Sequence, residues 1–401
     1  MVPIKDKFDH INFLIMNTLS RTIAYSLLMI FGIGCSKKNN PTPVASNAPQ
    51  KVFQEFWEIY DRYYPLMHRK GINWQDVYNT YHPQITNNTT DAELFGYFDT
   101  IMSTIIKDGH SNLDYNSQSA GFQPTENVNI QQMLQNNTDK QVNFVASSTN
   151  NPYISYGTLI SDATIGYIKS KQFEPVSENE QEFNNFKKAV DAALLALKDK
   201  TGIVIDVRTN GGGQGPYAFY LAGRFFISNS ETIRKARYKT KTGSTEASLS
   251  NFVETGTQNF EGYDDPRAEG GKVGGTFADE NVVTKSGAFQ FTQKVALLTA
   301  NGTASAAELF TIAMKTQTQV KTIGDKTFGI FAGSDIFTLR NGSGKWKTRV
   351  SVHDVEVKYQ GMFQSFEGVG IPPDQSILPT ATEVNAGRDP HLEAAIQYIR
   401  S

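Results

Sequence analysis

The chain has 401 residues, a net charge of −2 and a charged fraction of 19%, so it carries no basic footprint for nucleic acid. Aromatic residues make up 11% of the sequence, which is typical of a folded, strand-containing protein rather than a disordered one. A chain of this length can bury at least one full core. The single cysteine, Cys35, excludes an intramolecular disulfide framework and a cysteine-rich zinc site.

The N-terminal segment, residues 1–35, has the pattern of an export signal. Its apolar run over residues 22–34 is too short for an ordinary membrane-spanning helix and ends at Cys35. The run resembles a bacterial lipoprotein signal, in which cleavage leaves Cys35 as the lipidated first residue. The alternative is a plain signal peptide with an incidental cysteine. We therefore expect a protein of the bacterial cell envelope, lipid-anchored to a membrane on the periplasmic side or at the outer membrane.

A flexible tether and a helical subdomain follow the signal. Residues 36–50 are rich in Pro, Asn and Ser, as flexible linkers are. Residues 51–113 are predicted to form a helical subdomain, with a helix beginning after Thr90 or Asp91 as its cap. Its first helix carries aromatic residues on one face and ends near Pro65. Those residues are Phe53, Phe56, Trp57, Tyr60 and Tyr64.

The rest of the chain changes from a helical to an α/β pattern. Residues 114–155 are polar and weakly patterned and are predicted to be an irregular connecting segment. Residues 156–401 are predicted to be an α/β core, since a helical pattern over residues 182–199 lies between two apolar strands. Residues 239–290, rich in Gly, Thr and charge, are predicted to be an insertion in that core.

The stretch Asp206–Gly215, DVRTNGGGQG, follows a predicted strand and precedes a predicted helix. Consecutive glycines allow backbone N–H groups to face a concave site. The spacing lacks the glycine and lysine patterns of nucleotide-binding loops. Two interpretations remain at this stage: a turn selected for tight packing, or an oxyanion hole for acyl transfer.

Ser305 lies where the predicted strand KVALLT gives way to a helix that contains Leu309 and Phe310. A serine at this place is either a helix cap or a nucleophile. A nucleophilic serine needs a base within hydrogen-bond reach. The glycine turn around His110 favours this histidine as the base over His353, which alternates within a predicted strand.

Five motifs occur in the order found in the tail-specific, or C-terminal processing, serine peptidases. They are KDGHSNL, GIVIDVRTNGGG, ALLTANGTASAAELF, IGDKTFG and FEGVGIPPD. The resemblance covers the chain from about residue 50 to residue 400 and implies that Ser305 is the nucleophile. A base lysine that follows TFG in one branch is not matched, because Ile330 and Phe331 stand there and Lys326 precedes the motif.

The chain is more similar to the tricorn-protease-like branch, which implies His110 as the base and Glu367 as its support. Gly109 stands where tricorn-like relatives have a serine. The implied fold is α/β, with the crotonase/Clp-like ββα core of this family, an N-terminal helical subdomain and no clear PDZ domain. The implied substrates are peptides or unfolded proteins, and neither a metal nor an organic cofactor is required.

On this interpretation, an oxyanion hole consists of the N–H groups of Ala306 and of Gly212 or Gly213, aided by the helix N-terminus after Ser305. The alternative function is a non-catalytic binding protein for an apolar ligand or peptide on the same scaffold, because fold does not determine function. The complete Ser, His and Glu set argues against that alternative.

The lipid anchor is tested by Cys35→Ala, which we expect to move the protein from the membrane fraction to the soluble fraction because no lipid can be attached. Cell fractionation with immunoblotting measures this, with Ser36→Ala as the control that stays in the membrane fraction. Unchanged membrane association of Cys35→Ala would contradict the prediction.

Overall fold

The computed structural model describes residues 48–122, 128–177, 179, 181–253, 262–274 and 281–401. The predicted signal, Cys35 and residues 36–47 of the predicted tether lie outside these residues, as do parts of the predicted insertion. All described residues belong to the unit Ala45–Ser401. Among their helices, none has both the length and the apolar character needed to span a bilayer.

Four α-helices precede the first strand of the described residues. The helices are α1 Pro49–Tyr63, α2 Met67–Lys70, α3 Trp74–Tyr81, α4 Asp91–Thr100, α5 Ile130–Met133, α6 Ala146–Thr149, α7 Glu182–Leu197, α8 Gly215–Gly223, α9 Ala306–Lys315, α10 Ala381–Asn385 and α11 Pro390–Arg400.

The strands before residue 250 are β1 Asn112–Tyr115, β2 Gln118–Gly121, β3 Val142–Phe144, β4 Ile154–Leu159, β5 Ile165–Ser170, β6 Gly202–Asp206, β7 Ser230–Thr232 and β8 Arg234–Arg237. Those after it are β9 Tyr263–Asp264, β10 Lys272–Val273, β11 Val282–Thr284, β12 Lys294–Thr299, β13 Val320–Gly324, β14 Ser334–Leu339, β15 Trp346–Ser351, β16 Asp354–Tyr359, β17 Met362–Gln364 and β18 Gln375–Ser376.

The central sheet has seven strands in the order β18-β13-β12-β6-β5-β4-β3. Strands β5, β6, β12, β13 and β18 are parallel to one another, whereas β4 pairs antiparallel with β5 and β3 pairs antiparallel with β4. All five residues of β6 are buried, as expected for a parallel strand with both faces covered. The predicted α/β fold class is confirmed.

Two apolar layers cover the central sheet. Helices α7, α8 and α9 pack on one face, where Phe186, Leu221 and Phe310 are buried. Helix α11 packs on the other face, where Leu392 and Ile399 contact the strand residues. Because β6 and β12 are parallel neighbours, their carboxyl ends meet at one edge, and the loops before α8 and α9 start there.

The N-terminal helices share their core with a second sheet. This sheet has the order β14-β15-β1-β2, and its strands come from two distant parts of the chain. Phe56 and Phe98 of the helices pack in one apolar cluster with Trp346 of β15. Thr90 caps α4 in a capping box with Glu93, so the prediction of that cap is confirmed. The predicted helical subdomain therefore has a core to which residues beyond 330 contribute.

A buried ion network joins the end of β6 to α11. Arg208 is fully buried, and its guanidinium donates to the carboxylates of Asp206 (2.6 Å) and Asp389 (2.9 Å). Asp389 caps α11 and also accepts a hydrogen bond from Thr138 Oγ1 at 2.6 Å. Removal of the guanidinium would leave two buried carboxylates without their cation.

We therefore expect Arg208→Met to lower the free energy of unfolding by about 3–5 kcal/mol. Urea denaturation followed by circular dichroism measures this value. The control is Arg400→Met, because Arg400 forms an exposed ion pair with Asp162 whose loss should cost less than about 1 kcal/mol. Equal losses in the two variants would contradict the prediction.

Candidate active site

The turn between β12 and α9 places Ser305 at the start of the helix with unusual backbone angles. Its φ of 55° and ψ of −122° lie outside the favoured regions for a residue with a side chain. Ser305 and Glu308 form a capping box, in which Ser305 N–H donates to Glu308 Oε2 at 3.0 Å, and Glu308 N–H also donates to the main-chain oxygen of Ser305 at 2.8 Å. Ordinary N-cap residues have extended backbone angles, so capping alone does not account for the conformation of Ser305.

Ser305 lines a cleft of about 300 Å³ at the edge of the central sheet. Gly213 and Ala306 lie beside it in the lining, together with apolar side chains such as Leu309 and Phe331. Ala306 is the first residue of α9, and N–H groups in a first helical turn have no intrahelical acceptor. The partial positive charge of a helix N-terminus favours an anion at this position.

The glycine loop after β6 packs directly against the serine turn. Gly212 has a φ of 101°, and a Cβ on it would lie 2.6 Å from Ala304 O and 2.7 Å from Ser305 Cβ. Its N–H donates to Asn210 Oδ1 at 2.9 Å and is therefore engaged within the loop. Gly213, with a φ of 132°, lines the cleft. Of the two glycines predicted for the oxyanion hole, Gly213 lines the cleft, and its role as a donor stays a prediction.

Glu308 connects the serine turn to the loop that follows β13. Its side chain is fully buried and accepts hydrogen bonds from Ser305 N–H (3.0 Å), Thr327 Oγ1 (2.6 Å), Gly329 N–H (2.8 Å) and Ile330 N–H (2.8 Å). Burial raises its pKa to about 7, although the four hydrogen bonds act in the opposite direction. The carboxylate therefore determines how the loop of residues 327–332, here called the hub loop, is placed next to the nucleophile.

His110 follows the last turn of the N-terminal helices. The helical segment after α4 ends at Lys107, which has a φ of 45°, and Asp108 Oδ1 then accepts the backbone N–H of His110 at 2.9 Å. A Cβ on Gly109 would lie 2.5 Å from the ring of Phe328 in the hub loop. Only glycine therefore allows the His110 turn to pack this closely on that loop.

The imidazole of His110 is in an environment that favours its neutral form. Burial lowers its pKa below the usual value, and the charge of Asp108 acts in the opposite direction. The Ala332 main chain, part of the cleft lining, is among its neighbours. Nδ1 is buried and has no hydrogen-bond partner among the described residues. In this part of the chain no hydrogen bond joins His110 to Ser305 or to Glu367, so their catalytic contact stays a prediction.

Glu367 also contacts the hub loop. Its Oε2 accepts the N–H of Phe331 at 2.9 Å, while Oε1 is buried without a hydrogen-bond partner among the described residues. Burial, and next the charge of Asp108, raise the pKa of Glu367 well above its usual value. Glu367 thus contacts the hub loop directly. Ser305 is linked to that loop through Glu308, and the His110 turn packs on it through Gly109.

The other candidate bases are less suited to proton transfer. Burial and the positive charge of Arg234 lower the pKa of His353 to about 3, which leaves it a weak base. Lys326 is exposed, and the positions after Gly329 are occupied by the buried apolar side chains of Ile330 and Phe331. Among the described residues, no group of three or more His, Cys, Asp or Glu could hold a metal ion.

Comparison with known families identifies the family of the chain. The profile of peptidase family S41 matches residues 164–377, which is more than half of the chain. The chain belongs to peptidase family S41. The profile of the tricorn protease C1 domain matches residues 46–102, which include the first four helices. The enzyme is therefore a serine peptidase of the tail-specific family, as the sequence motifs predict.

Solved structures with the same fold cover nearly the whole chain. A candidate peptidase from Parabacteroides merdae is 23% identical, with a TM-score of 0.66 over 88% of this chain and 97% of that one. Mature CPAF is 10% identical, with a TM-score of 0.56 over 90% and 98%. A lipoprotein from Streptococcus agalactiae is 14% identical, with a TM-score of 0.50 over 90% and 99%. Comparison with curated protein sequences finds no significant match.

Sequence reasoning missed two residues of this S41 site. Glu308 stands three residues after Ser305, a spacing that also describes an ordinary capping box, so the sequence alone gives it no special role. Asp108 stands two residues before His110, and its two carboxylate oxygens accept from His110 N–H and Ser111 Oγ, both at 2.9 Å. The feature of the sequence that could have indicated them is an acidic residue close to each candidate catalytic residue: Asp108 near His110 and Glu308 near Ser305.

The role of Glu308 is tested by Glu308→Gln. An amide has only one acceptor oxygen and presents an NH₂ group to the donors, so we expect a roughly tenfold or greater loss of serine reactivity and about 1–3 kcal/mol of destabilisation. Rates of inactivation by a fluorophosphonate and thermal melting measure the two effects. Glu383→Gln is the matched control, because Glu383 has the same capping-box position in the exposed helix α10 and should change neither value much.

The same variant tests the raised pKa of Glu308. The folded protein retains this proton up to about pH 7, whereas an unfolded glutamate releases it near pH 4.3, so the group's contribution to stability falls as the pH rises between these values. The stability of Glu308→Gln relative to wild type should therefore improve from pH 4.5 to pH 7 and then become constant. A difference independent of pH would show that the carboxyl titrates normally.

Proposed function

We propose that this S41 peptidase is an exported serine endopeptidase that hydrolyses peptide bonds of peptides or unfolded proteins, with Ser305 as its nucleophile. The observation that carries the proposal is the conformation of Ser305, a non-glycine residue with positive φ that lines a cleft. Strained backbone persists where the surrounding structure enforces it, which is common at active sites.

In acylation, Ser305 Oγ attacks the carbonyl carbon of the scissile bond while His110 accepts the hydroxyl proton. The carbonyl oxygen becomes an oxyanion that accepts hydrogen bonds from the N–H groups of Ala306 and Gly213. His110 then donates its proton to the leaving amine as the C–N bond breaks, and the acyl group stays on Ser305. Water attacks this ester with His110 again as the base, which releases the acid and restores the serine.

His110 supports this role because it starts the cycle neutral. Burial lowers its pKa, so the unprotonated base is the main form at neutral pH. Glu367 is expected to support the imidazolium that forms during the reaction, and the negative charge of Asp108 also favours the protonated form of His110. A long or absent hydrogen bond between base and nucleophile is common before substrate binds, since such contacts tighten in the substrate complex.

The proposed location is the cell envelope, with the mature chain lipid-anchored through Cys35 to a membrane and the peptidase unit held by the tether of residues 36–50. A charge of −2 without a basic cluster argues against nucleic-acid partners. The cleft contains Leu309 and Phe331 beside the serine, which suits an extended peptide with an apolar side chain near the scissile bond.

The catalytic assignment is tested by labelling with a fluorophosphonate and by cleavage of a denatured protein. Ser305→Ala should abolish both, and His110→Ala should slow both by roughly two to four orders of magnitude, because the serine then lacks its base. Ser334→Ala is the matched control, since Ser334 lines the same cleft and should label like wild type.

Lys326→Ala separates the histidine mechanism from a lysine mechanism and should retain activity. If Lys326→Ala lost activity and His110→Ala retained it, the base would be Lys326 rather than His110. A wild-type protein that neither labels nor cleaves would favour the alternative function, a binding protein on this scaffold. Melting temperatures of all variants show that each one is folded.

A further inference from the structure

The helix that precedes His110 changes its geometry in its last turn. Residues Ile101–Ile106 continue α4 as a π-helix, and Lys107 N–H donates to Met102 O at 3.0 Å, five residues earlier. Lys107 then has left-handed backbone angles, with a φ of 45° and a ψ of 52°. Both features are uncommon, and π turns occur frequently at functional sites. Such a helix end persists where other parts of the protein hold it.

Hydroxyl side chains within the segment favour the wider turn. Ser103 Oγ donates to Asp99 O, and Thr104 Oγ1 donates to Thr100 O, both at 2.6 Å. Serine and threonine side chains that bond the carbonyl group four residues earlier bend helices. The carbonyl groups at the end of a helix receive no N–H from a further turn, so they need donors from elsewhere.

Lys70 supplies these donors from another helix. Its ammonium group donates to Ile106 O at 3.1 Å and to Lys107 O at 2.9 Å. A cation at this place also interacts favourably with the negative end of the helix dipole. Lys70 is the last residue of α2; its own N–H donates to Leu66 O at 3.0 Å, and the left-handed Gly71 ends the helix. The start of the lysine side chain is therefore fixed.

The same contacts extend to His110 through Asp108. The carbonyl group of Lys107 belongs to the planar peptide group that joins Lys107 to Asp108, so the ammonium group orients that peptide. Asp108 then accepts hydrogen bonds from His110 N–H and from the Ser111 hydroxyl, both at 2.9 Å. Ser111 Oγ in turn accepts Ser351 N–H at 3.1 Å, which anchors the turn to β15. A continuous series of contacts thus joins the end of α2 to the backbone of His110.

We propose that Lys70 is a positioning residue of the catalytic set, whose ammonium group holds the turn that carries His110 and so places the imidazole for proton transfer from Ser305. The inference rests on the proposed function, in which His110 is the base. A base acts only within hydrogen-bond reach of its proton, and a displacement of about 1 Å in an active site can cost about a hundredfold in rate. The described lining of the cleft does not include Lys70, so the residue acts through the turn.

The test compares Lys70→Met with Lys200→Met in the full-length protein. Methionine retains most of the lysine stem but has neither a charge nor an N–H donor. Lys200 is half-buried like Lys70, and its ammonium group also donates to a main-chain oxygen, that of Ala163, at 2.8 Å. Lys200 precedes the amino end of β6, so its contact lies at the edge of the central sheet opposite to Ser305.

Each variant reacts to completion with a fluorophosphonate, which gives separately the rate constant of labelling at Ser305 and the fraction of molecules that label. We expect Lys70→Met to lower the rate constant roughly tenfold to a hundredfold while the labelled fraction stays complete. Lys200→Met should keep the wild-type rate constant. A merely structural role of Lys70 would lower the labelled fraction or the melting temperature and leave the rate constant of the folded molecules unchanged.

Lys70→Cys followed by aminoethylation tests the ammonium group itself, also if Lys70→Met does not fold. Aminoethylation restores a side chain of lysine length with sulfur in place of one methylene group, whereas ethylation adds a neutral group. The rate constant of labelling should return toward the wild-type value after aminoethylation and should stay low after ethylation. Because the sequence has Cys35 as its own single cysteine, wild type treated in the same way is the control.

Three results overturn the inference and leave the peptidase proposal intact, provided that wild type labels at Ser305. They are a wild-type rate constant in Lys70→Met, an equal loss in Lys200→Met, and a Lys70→Cys rate constant that aminoethylation does not raise. A wild-type protein that does not label at Ser305 overturns both the inference and the proposed function.

Discussion

A buried carboxylate, that of Glu308, accepts hydrogen bonds from the nucleophile turn and from the hub loop of residues 327–332. A buried carboxyl group is costly unless donors surround it, and here four donors converge on it. The backbone of Ser305 and the loop that contacts both His110 and Glu367 are thereby held in one arrangement. Glu367 and the His110 turn contact this same loop, so their placement relative to Ser305 depends on the interaction.

Two cores meet at the hub loop. One covers the central sheet and supplies the ends of β6 and β12, where Gly213 and Ser305 lie. The other joins the N-terminal helices to the second sheet and supplies the His110 turn, which packs through Gly109 on Phe328. A site at the contact of two cores is lined by well-packed residues and brings together groups from distant parts of the sequence. This accounts for the participation of residues as far apart as Asp108 and Glu367.

Burial has opposite consequences for the ionisable groups of the site. It lowers the pKa of His110, which favours the neutral base, and raises those of Glu308 and Glu367, which favours their protonated forms. Hydrogen bonds from N–H and hydroxyl groups act against the shift of Glu308, and the N–H of Phe331 and the charge of Lys70 act against that of Glu367. The arrangement suits a reaction in which positive charge appears on an imidazole only transiently, since the negative charge of Asp108 acts on His110 before the proton moves.

The amino-acid sequence by itself determined the α/β class, the strand-to-helix turn at Ser305, the glycine loop and the membership of the tail-specific peptidases. These depend on local patterns of apolar residues, glycines and short motifs that neighbouring residues specify. It could not show that the helical segment shares a core with β15, that Gly212 uses its N–H within its own loop, or that Glu308 is more than a capping residue. Those facts depend on contacts between residues far apart in the chain, and only packing in three dimensions decides which buried polar groups find partners.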